Sequence, residues 1–345
     1  MATSTSAASP DAPHRYPVTV YIGDTDAYRM MYHTNYLVYY GRARLAFLGL
    51  PALAALFGSA EGVSVRDRRV LHIRYFDSAR LGEECAVVTT LFGVDEAAGT
   101  ITFNHAFNQG ADGSGKTLNR AVVEVGFARR DGSAVAPGFP PALGFDPAAP
   151  GLARCTSPRV FGGSPLRCPA VVPAAVRQHT MALGGYADLC DASGRLQLHA
   201  LLDCFERARS AGMGGPVTLQ RCVEESGHIF VVGRMDHVYC CAAAPPIFGD
   251  ELEIRTSVEL KHRNVCIVFH HQLWRTGRIA AAGAAGAAGG AEGGSGGGAA
   301  AAAADEAVPL VEAAVSVYSI SEKDKSPVPA PAWLEKMIAP FMLKR

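Results

Sequence analysis

The alternation of apolar and polar residues along this chain predicts both strands and helices. In "TITFNHAF", every second residue from Ile101 to Phe107 falls on one face, as expected for a strand with one buried side. "RAVVEVGFA" and, near the N-terminus, "VTVYI" alternate in the same way. Apolar side chains three and four residues apart predict two helices: Tyr36, Tyr39, Tyr40, Ala43 and Phe47 mark one, and Leu198, Leu201, Leu202, Phe205 and Ala208 mark the other.

The two predicted helices belong to an internal repeat. "DAYRMMYHTNYLVYYGRARLAFLG", which begins at Asp26, aligns without a gap with "DASGRLQLHALLDCFERARSAGMG", which begins at Asp191. Further along, a turn that contains Gly82 falls on a turn that contains Gly249. The shared order of helix, glycine turn and strands predicts that the chain is a duplication.

The repeat divides the chain into two domains of the same kind. We expect a disordered tail at 1–13, a first domain at 14–145, a Pro/Gly/Arg-rich linker at 146–172 and a second domain at 173–340. An Ala/Gly tract at 279–305 reads as a disordered loop between the last two strands. One helix followed by a run of strands predicts an α+β fold in which an antiparallel sheet wraps each helix.

The amino-acid composition indicates which classes of partner and which cellular compartment are expected for this chain. Lysine plus arginine equals aspartate plus glutamate at 32 each, and there is no basic run, which argues against a nucleic-acid partner. The nine cysteines form no CxxC pair, which argues against a disulfide framework and a zinc site and favours a reducing compartment, the cytoplasm first, with organelle import left open. The apolar stretch "LAFLGLPALAALFG" is too short for a membrane span and contains Pro51.

The segment "GDTDAYRMMYHTNYLVYYGRAR" resembles the motif of hotdog-fold acyl-CoA thioesterases of the 4-hydroxybenzoyl-CoA thioesterase type. The matching positions are Asp24, Asp26, Tyr32, Asn35, Tyr36 and Arg42-Ala43-Arg44, and the second half keeps Asp191, Gly194 and "FERAR". The resemblance implies a tandem hotdog, each half a long helix wrapped by an antiparallel sheet, so that the chain is a fused dimer. Further pairing into a homodimer stays open.

The resemblance also implies roles for individual residues. Asp26 would be the catalytic carboxylate, as nucleophile or as base for water, and the backbone N–H of His33 would polarise the thioester carbonyl. Asn35 would position water or the loop. The chemistry agrees, because thioester hydrolysis needs an activated oxygen and a stabiliser for the oxyanion, and a helix N-terminus supplies unpaired N–H groups.

The second half departs from the motif, which makes Asp191, Gly194 and Glu206 candidates for a weaker second site. Ala200 replaces the asparagine there, while in the first half Arg29 replaces the motif glycine that Gly194 retains. If that glycine needs a positive φ, Arg29 is strained or its turn differs; it could instead face a coenzyme phosphate. Glu206 lies where a related hotdog subclass carries a catalytic glutamate, and Gly41 is the matching position in the first half.

Several of these residues also have structural interpretations. Asp24 reads as a turn or capping residue, Asn35 as a ligand of the loop backbone and Asp191 as a structural remnant. Glu206 reads as the ion-pair partner of a nearby arginine. Four arginines of the predicted helices read as surface or interface residues: Arg42, Arg44, Arg207 and Arg209. No metal or other cofactor is expected.

Three functions fit the motif. The first is hydrolysis of an acyl-CoA or acyl-carrier thioester by Asp26. The second is an enoyl-thioester hydratase or dehydratase of the same fold, and the third is a non-catalytic acyl-thioester-binding protein. The altered glycine position and the degraded second half motivate the third alternative.

Overall fold

The computed structural model describes residues 13–26, 28–60, 62–129, 133, 135, 138–140, 143, 176–191, 194–240, 246–278 and 309–343. The predicted linker (146–172), the predicted Ala/Gly loop (279–305) and residues 1–12 of the predicted tail lie outside the described residues. The described parts of the two halves have the same order of elements, as the repeat predicts.

Each half has a short strand, then a helix pair, then long strands. The first half contains β1 (His14–Thr19), α1 (Asn35–Leu48), α2 (Leu50–Gly58), β2 (Ser64–Tyr75), β3 (Glu84–Asp95), β4 (Thr100–Gln109) and β5 (Thr117–Ala128). The second half contains β6 (His179–Gly184), α3 (Leu198–Gly212), α4 (Gly215–Ser226), β7 (His228–Cys240), β8 (Asp250–Lys261), β9 (Cys266–Arg278), β10 (Val311–Ser321) and α5 (Ala332–Ile338).

The strands form one antiparallel sheet that runs through both halves. Its ten strands have the order β1-β3-β4-β5-β2-β7-β10-β9-β8-β6, so the second half repeats the first in reverse. The two halves meet where β2 pairs with β7, with His72 opposite Asp236. At this seam His72 Nδ1 lies 2.6 Å from Asp236 Oδ1, and Arg234 Nη2 lies 2.7 Å from Asp236 Oδ2. Backbone pairing and the buried contact between His72 of the first half and Asp236 of the second half therefore join the halves.

The core lies between the sheet and the two long helices. All ten positions of the two predicted helical faces are buried or pack against the core, and Ile101, Phe103, His105 and Phe107 of β4 are fully buried on one face. The strand predicted from "VTVYI" is wrong at its end. β1 stops at Thr19, and a short 3-10 helix begins at Ile22, because the Asp24 carboxylate accepts a hydrogen bond from the N–H of Tyr21 (2.9 Å) and turns the chain.

Beneath each long helix lies a buried histidine. His105 contacts Thr89 Oγ1 (3.0 Å) and stacks on Tyr40, and His271 contacts Thr256 Oγ1 (2.9 Å) and stacks on Phe205. Burial, together with the nearby positive charge of an arginine on the overlying helix, holds the pKa of both imidazoles well below its usual value. Both rings are therefore neutral members of the core.

Among the described residues, no single helix has the length and apolar character to cross a membrane. By length and composition alone, only the pair Asn35–Leu48 and Leu50–Gly58 together would reach that threshold, and these two helices are bent by 93°.

Candidate active site

The loop before α1 holds Asp26 in a tight turn. Its Oδ1 accepts hydrogen bonds from the backbone N–H groups of Tyr28 (2.8 Å) and Met30 (3.1 Å), and its own N–H donates to the Met30 carbonyl (2.8 Å). No described residue donates a hydrogen bond to Asp26 Oδ2. The carboxylate is half-buried, so one oxygen is fixed by the backbone and the other is available to a substrate or water.

The turn requires a left-handed residue, and this chain uses an arginine there. Arg29 has φ 58°, at the position where the second half has Gly194 with φ 76°. The motif glycine position therefore does need a positive φ. Arg29 keeps the same turn and adopts the strained left-handed backbone, so the alternative of a different turn does not apply. Its side chain is exposed at the mouth of the loop.

Asp24 and Asn35 fasten the loop to the helix. Asp24 Oδ2 accepts hydrogen bonds from the Tyr39 hydroxyl (2.8 Å) and the Tyr21 N–H, while its carbonyl accepts from Asn35 Nδ2 (3.1 Å). Burial, with the neighbouring Asp24 carboxylate, raises the pKa of Tyr39 to about 12, so the tyrosine remains a donor. Asn35 contacts the loop backbone, one of the two roles expected for it.

His33 lies one residue before Thr34, the N-cap residue of α1. Its carbonyl accepts a hydrogen bond from the Tyr75 hydroxyl (2.8 Å), and its ring packs edge-on against Tyr32 (4.6 Å between centroids). Burial and the charge of Arg209 hold the pKa of the imidazole well below its usual value. The N–H of His33 has no acceptor among the described residues, and it lies at the positive end of the α1 dipole.

The second half completes this site through α3. Thr34 Oγ1 donates a hydrogen bond to Asp203 Oδ1 (2.6 Å), and the Glu206 carboxylate, which accepts a hydrogen bond from Ser210 Oγ (2.6 Å), lies close enough to Tyr32 for its charge to act on the tyrosine hydroxyl. Burial raises the pKa of Tyr32, and the charges of Glu206 and Asp203 raise it further. The sequence suggested that Glu206 belongs to a second site with Asp191, but Glu206 lies near Tyr32 of the first-half motif. Its charge also acts on buried Arg209.

The second half builds the same turn around Asp191. The Asp191 N–H donates to the Arg195 carbonyl (2.7 Å), and the Arg195 N–H donates to Asp191 Oδ1 (3.2 Å). Gln197 Nε2 donates to the Cys190 carbonyl (2.9 Å), as Asn35 does to the Asp24 carbonyl. Asp191 Oδ2 lies 3.7 Å from Arg66 Nε of β2. The turn therefore survives in the second half with an arginine beside its carboxylate.

A cavity of about 540 Å³ opens beside Asp191, between the second-half loop and α1. Here α1 presents Val38 and Gly41, the positions that match Asp203 and Glu206 of α3 in the repeat alignment. The side chains that bridge the halves at the Asp26 site are replaced at this site by smaller or apolar ones. A large part of the cavity wall comes from residues of α1 and β2: Leu37, Val38, Gly41, Arg42, Arg44, Leu45, Val65, Arg66, Asp67 and Arg68.

The helix arginines were expected at the surface or in interface pairs, and one arginine in each half is buried. Arg44 is 3% exposed and forms an ion pair with Asp67, and Arg209 is 4% exposed. Arg44 Nη1 also lies 3.3 Å from His105 Nε2. The sequence did not indicate that Arg44 is buried, because its partner Asp67 lies on a different element.

Within the described part of the chain, no group of three or more His, Cys, Asp or Glu side chains is placed to hold a metal ion. The five cysteines that the structure describes as free are Cys85, Cys190, Cys204, Cys222 and Cys266.

Comparison with known proteins finds a family model that matches part of the first half. Residues 20–144 match the family model described as Thioesterase-like superfamily. No curated protein matches the chain.

Solved structures match the chain over most of its length. An acyl-ACP thioesterase from Bacteroides thetaiotaomicron has a TM-score of 0.52 at 12% sequence identity, over 88% of this chain and 96% of that one. A 12:0-ACP thioesterase from Umbellularia californica has a TM-score of 0.53 at 10% identity, over 88% of this chain and 93% of that one. At these identities the likeness concerns the fold alone, and the predicted α+β double hotdog is confirmed.

Proposed function

We propose that this chain, whose residues 20–144 belong to the Thioesterase-like superfamily, hydrolyses an acyl-CoA or acyl-carrier thioester to a free acid and a thiol. The observation that carries the proposal is the geometry of Asp26. One carboxylate oxygen is fixed by two backbone N–H groups, no described residue donates a hydrogen bond to the other, and the loop that carries Asp26 leads into α1. Acyl transfer needs an activated oxygen and an oxyanion donor, and Asp26 and the His33 N–H are the groups that we propose for these two roles.

In the proposed reaction Asp26 Oδ2 attacks the thioester carbonyl or removes a proton from an attacking water. The carbonyl π electrons move to oxygen, and the oxyanion accepts a hydrogen bond from the His33 N–H at the positive end of α1. Collapse of the tetrahedral intermediate breaks the C–S bond, and the thiolate takes up a proton. If Asp26 is the nucleophile, water then hydrolyses the mixed anhydride and regenerates the carboxylate.

Asn35 acts in this proposal as a positioning residue. By holding the Asp24 carbonyl, Asn35 fixes the segment that carries Asp26 against the first turn of α1. The neutral imidazole of His33, enclosed by Tyr32, serves packing, and only its backbone takes part in the chemistry.

The test is thiol release from a panel of acyl-CoAs by the wild type, Asp26→Asn and Asp191→Asn. The asparagine at position 26 keeps an oxygen that accepts from Tyr28 and Met30, so the turn is retained while the negative charge is lost. We expect kcat to fall by about 10²–10⁴-fold in Asp26→Asn, the usual contribution of a positioned acid or base, and to change little in Asp191→Asn.

Four results would contradict the proposal. Equal loss in both variants, or in neither, would remove Asp26 as the distinguishing group. Wild-type protein that hydrates crotonyl-CoA without thiol release would be a hydratase, and wild-type protein that binds acyl-CoA without turnover would be a binding protein.

A further inference from the structure

The cavity beside Asp191 has an apolar wall and a concentrated positive charge. Leu37, Val38 and Leu45 of α1 face it, together with Phe127 and Leu196. Five arginines line it against two aspartates, Asp67 and Asp191, which pair with Arg44 and Arg66 respectively. The carboxylates on the cavity wall are thus outnumbered by guanidinium groups, and the cavity carries an excess of positive charge.

The size of the cavity suits a small ligand. Its volume of about 540 Å³ falls within the range of about 300–1,000 Å³ typical of small-molecule sites. At this cavity α1 presents Gly41, which has no side chain to fill the space, whereas α3 has Glu206 at the matching position, and the charge of Glu206 acts on Tyr32 of the opposite loop. A Cβ placed on Gly41 would find only Arg44 Nη2, at 3.8 Å, within 4 Å beyond the neighbouring helix backbone, so the helix face is open there.

The contrast between the two sites is one of charge as well as space. At the Asp26 site α3 contributes two acidic side chains, Asp203 and Glu206, to the contact between halves. At the Asp191 site α1 contributes Val38, Gly41 and Arg42, and β2 adds Arg66 and Arg68. A negatively charged ligand is therefore favoured in the second cavity by the surrounding charges, whereas at the first site the α3 carboxylates disfavour it.

We propose that the cavity beside Asp191 binds an amphiphilic carboxylate, an apolar chain or ring with an anionic end. The guanidinium groups hold the carboxylate by charge-assisted hydrogen bonds, and the apolar wall from α1 covers the chain. Such a ligand is either a free acid, the class of product formed in the proposed reaction, or an acyl group with a second, terminal carboxylate. Binding here does not depend on which aspartate hydrolyses the thioester.

Calorimetry with the full-length protein tests the ligand chemistry directly. Sodium octanoate, disodium octanedioate and octan-1-ol are titrated into the wild type and into Asp26→Asn. We expect saturable binding of a carboxylate by both proteins and at least about tenfold weaker binding of octan-1-ol, since one charge-assisted contact is worth about that factor. Equal affinity for the alcohol and for the acids would overturn the proposal.

Matched variants locate the binding. Arg68→Met removes a charge from the cavity wall but keeps the side-chain stem that lies over Gly126, and Arg69→Met removes the neighbouring charge, which pairs with Glu124 outside the cavity. We expect about tenfold weaker octanoate binding in Arg68→Met and less than about a twofold change in Arg69→Met. Equal effects of the two variants would refute binding in the cavity.

Filling the cavity is an independent test. Gly41→Leu adds a side chain into the open space, and Gly41→Ala adds only a methyl group whose contacts are of ordinary length. We expect Gly41→Leu to abolish octanoate binding and Gly41→Ala to weaken it only slightly, with both variants folded by circular dichroism. Unchanged binding in Gly41→Leu would show that the ligand lies elsewhere.

The two sources of the carboxylate are separated with thioesters. Octanoyl-CoA and the mono-CoA thioester of octanedioic acid are compared in Asp26→Asn, with Gly41→Leu added as the cavity control. If free octanoate binds and Gly41→Leu removes this binding, the cavity is assigned to free acids. Tighter binding of the octanedioyl thioester than of octanoyl-CoA, lost on filling the cavity, assigns it to acyl groups with a terminal carboxylate, and failure of both overturns the proposal. Because neither measurement needs turnover, an inactive wild type would contradict only the proposed hydrolysis.

Discussion

The buried arginine of α1 offers a quantitative test of how the structure balances charge. Arg44 is 3% exposed, pairs with Asp67 and lies 3.3 Å from His105 Nε2. Arg44→Met keeps much of the buried stem but leaves the Asp67 carboxylate without its counter-ion. Breaking a buried ion pair by removing one partner costs about 3–5 kcal/mol. The Asp67 side chain is 23% exposed and lines the cavity, so water can solvate its carboxylate. We therefore expect Arg44→Met to lower the free energy of unfolding by about 3 kcal/mol, the lower end of that range.

Urea unfolding at pH 7.5, followed by far-UV circular dichroism, measures the loss as a shift in midpoint at constant slope. The double variant Arg44→Met/Asp67→Asn removes both charges, so we expect it to be more stable than Arg44→Met by about 1–2 kcal/mol. Arg69→Met, which breaks a more exposed pair with Glu124, should cost less than about 1 kcal/mol. A loss in Arg44→Met no larger than in Arg69→Met, or a double variant less stable than the single one, would refute the reasoning.

Two further predictions concern pH and the strained turn. The depressed pKa values of His33, His105 and His271 keep these imidazoles neutral in the folded protein, while the unfolded chain takes up protons below about pH 6.5. The free energy of unfolding should therefore be retained above that pH and fall by about 1.4 kcal/mol per pH unit per histidine below it, and equal urea midpoints at pH 7.5 and 5.5 would contradict this. Arg29→Gly should stabilise the protein by about 0.5–1 kcal/mol, because relief of the left-handed φ outweighs the conformational entropy that glycine loses on folding. Gly194→Ala should destabilise the protein by about 1 kcal/mol. Thermal unfolding that ranks the two variants in the reverse order would be inconsistent with these φ angles.

The local features of the fold could be read from the sequence. Alternation in β4 and helical spacing in α1 report burial of side chains near in the chain, and both are confirmed. The repeat alignment also found the special turn, because Gly194 marked a backbone angle that Arg29 adopts as well. Alternation and helical spacing are short-range signals that lie within one stretch of sequence, and the turn was recognised by comparing two such stretches.

The composition of the two sites could not be read in this way. Periodicity shows which face of α3 is apolar, but not that Glu206 meets Tyr32 of the other half. Arg44 looked like a surface residue because its counter-ion, Asp67, lies on a different element, and burial of a charge depends on that distant partner. The cavity depends on the absence of a side chain at Gly41, which has meaning only once the opposite loop is in place.

The crosswise construction of the two sites has a consequence for how this chain can change. In a symmetric homodimer one substitution alters both copies of an interface at once. Here the helix of each half borders the loop of the other, and each position occurs once, so α1 can present Gly41 to one loop while α3 presents Glu206 to the other. In a single polypeptide with a continuous ten-stranded sheet, the Asp26 site and the cavity beside Asp191 can therefore differ in their side chains, whereas two identical subunits would have to build both sites alike.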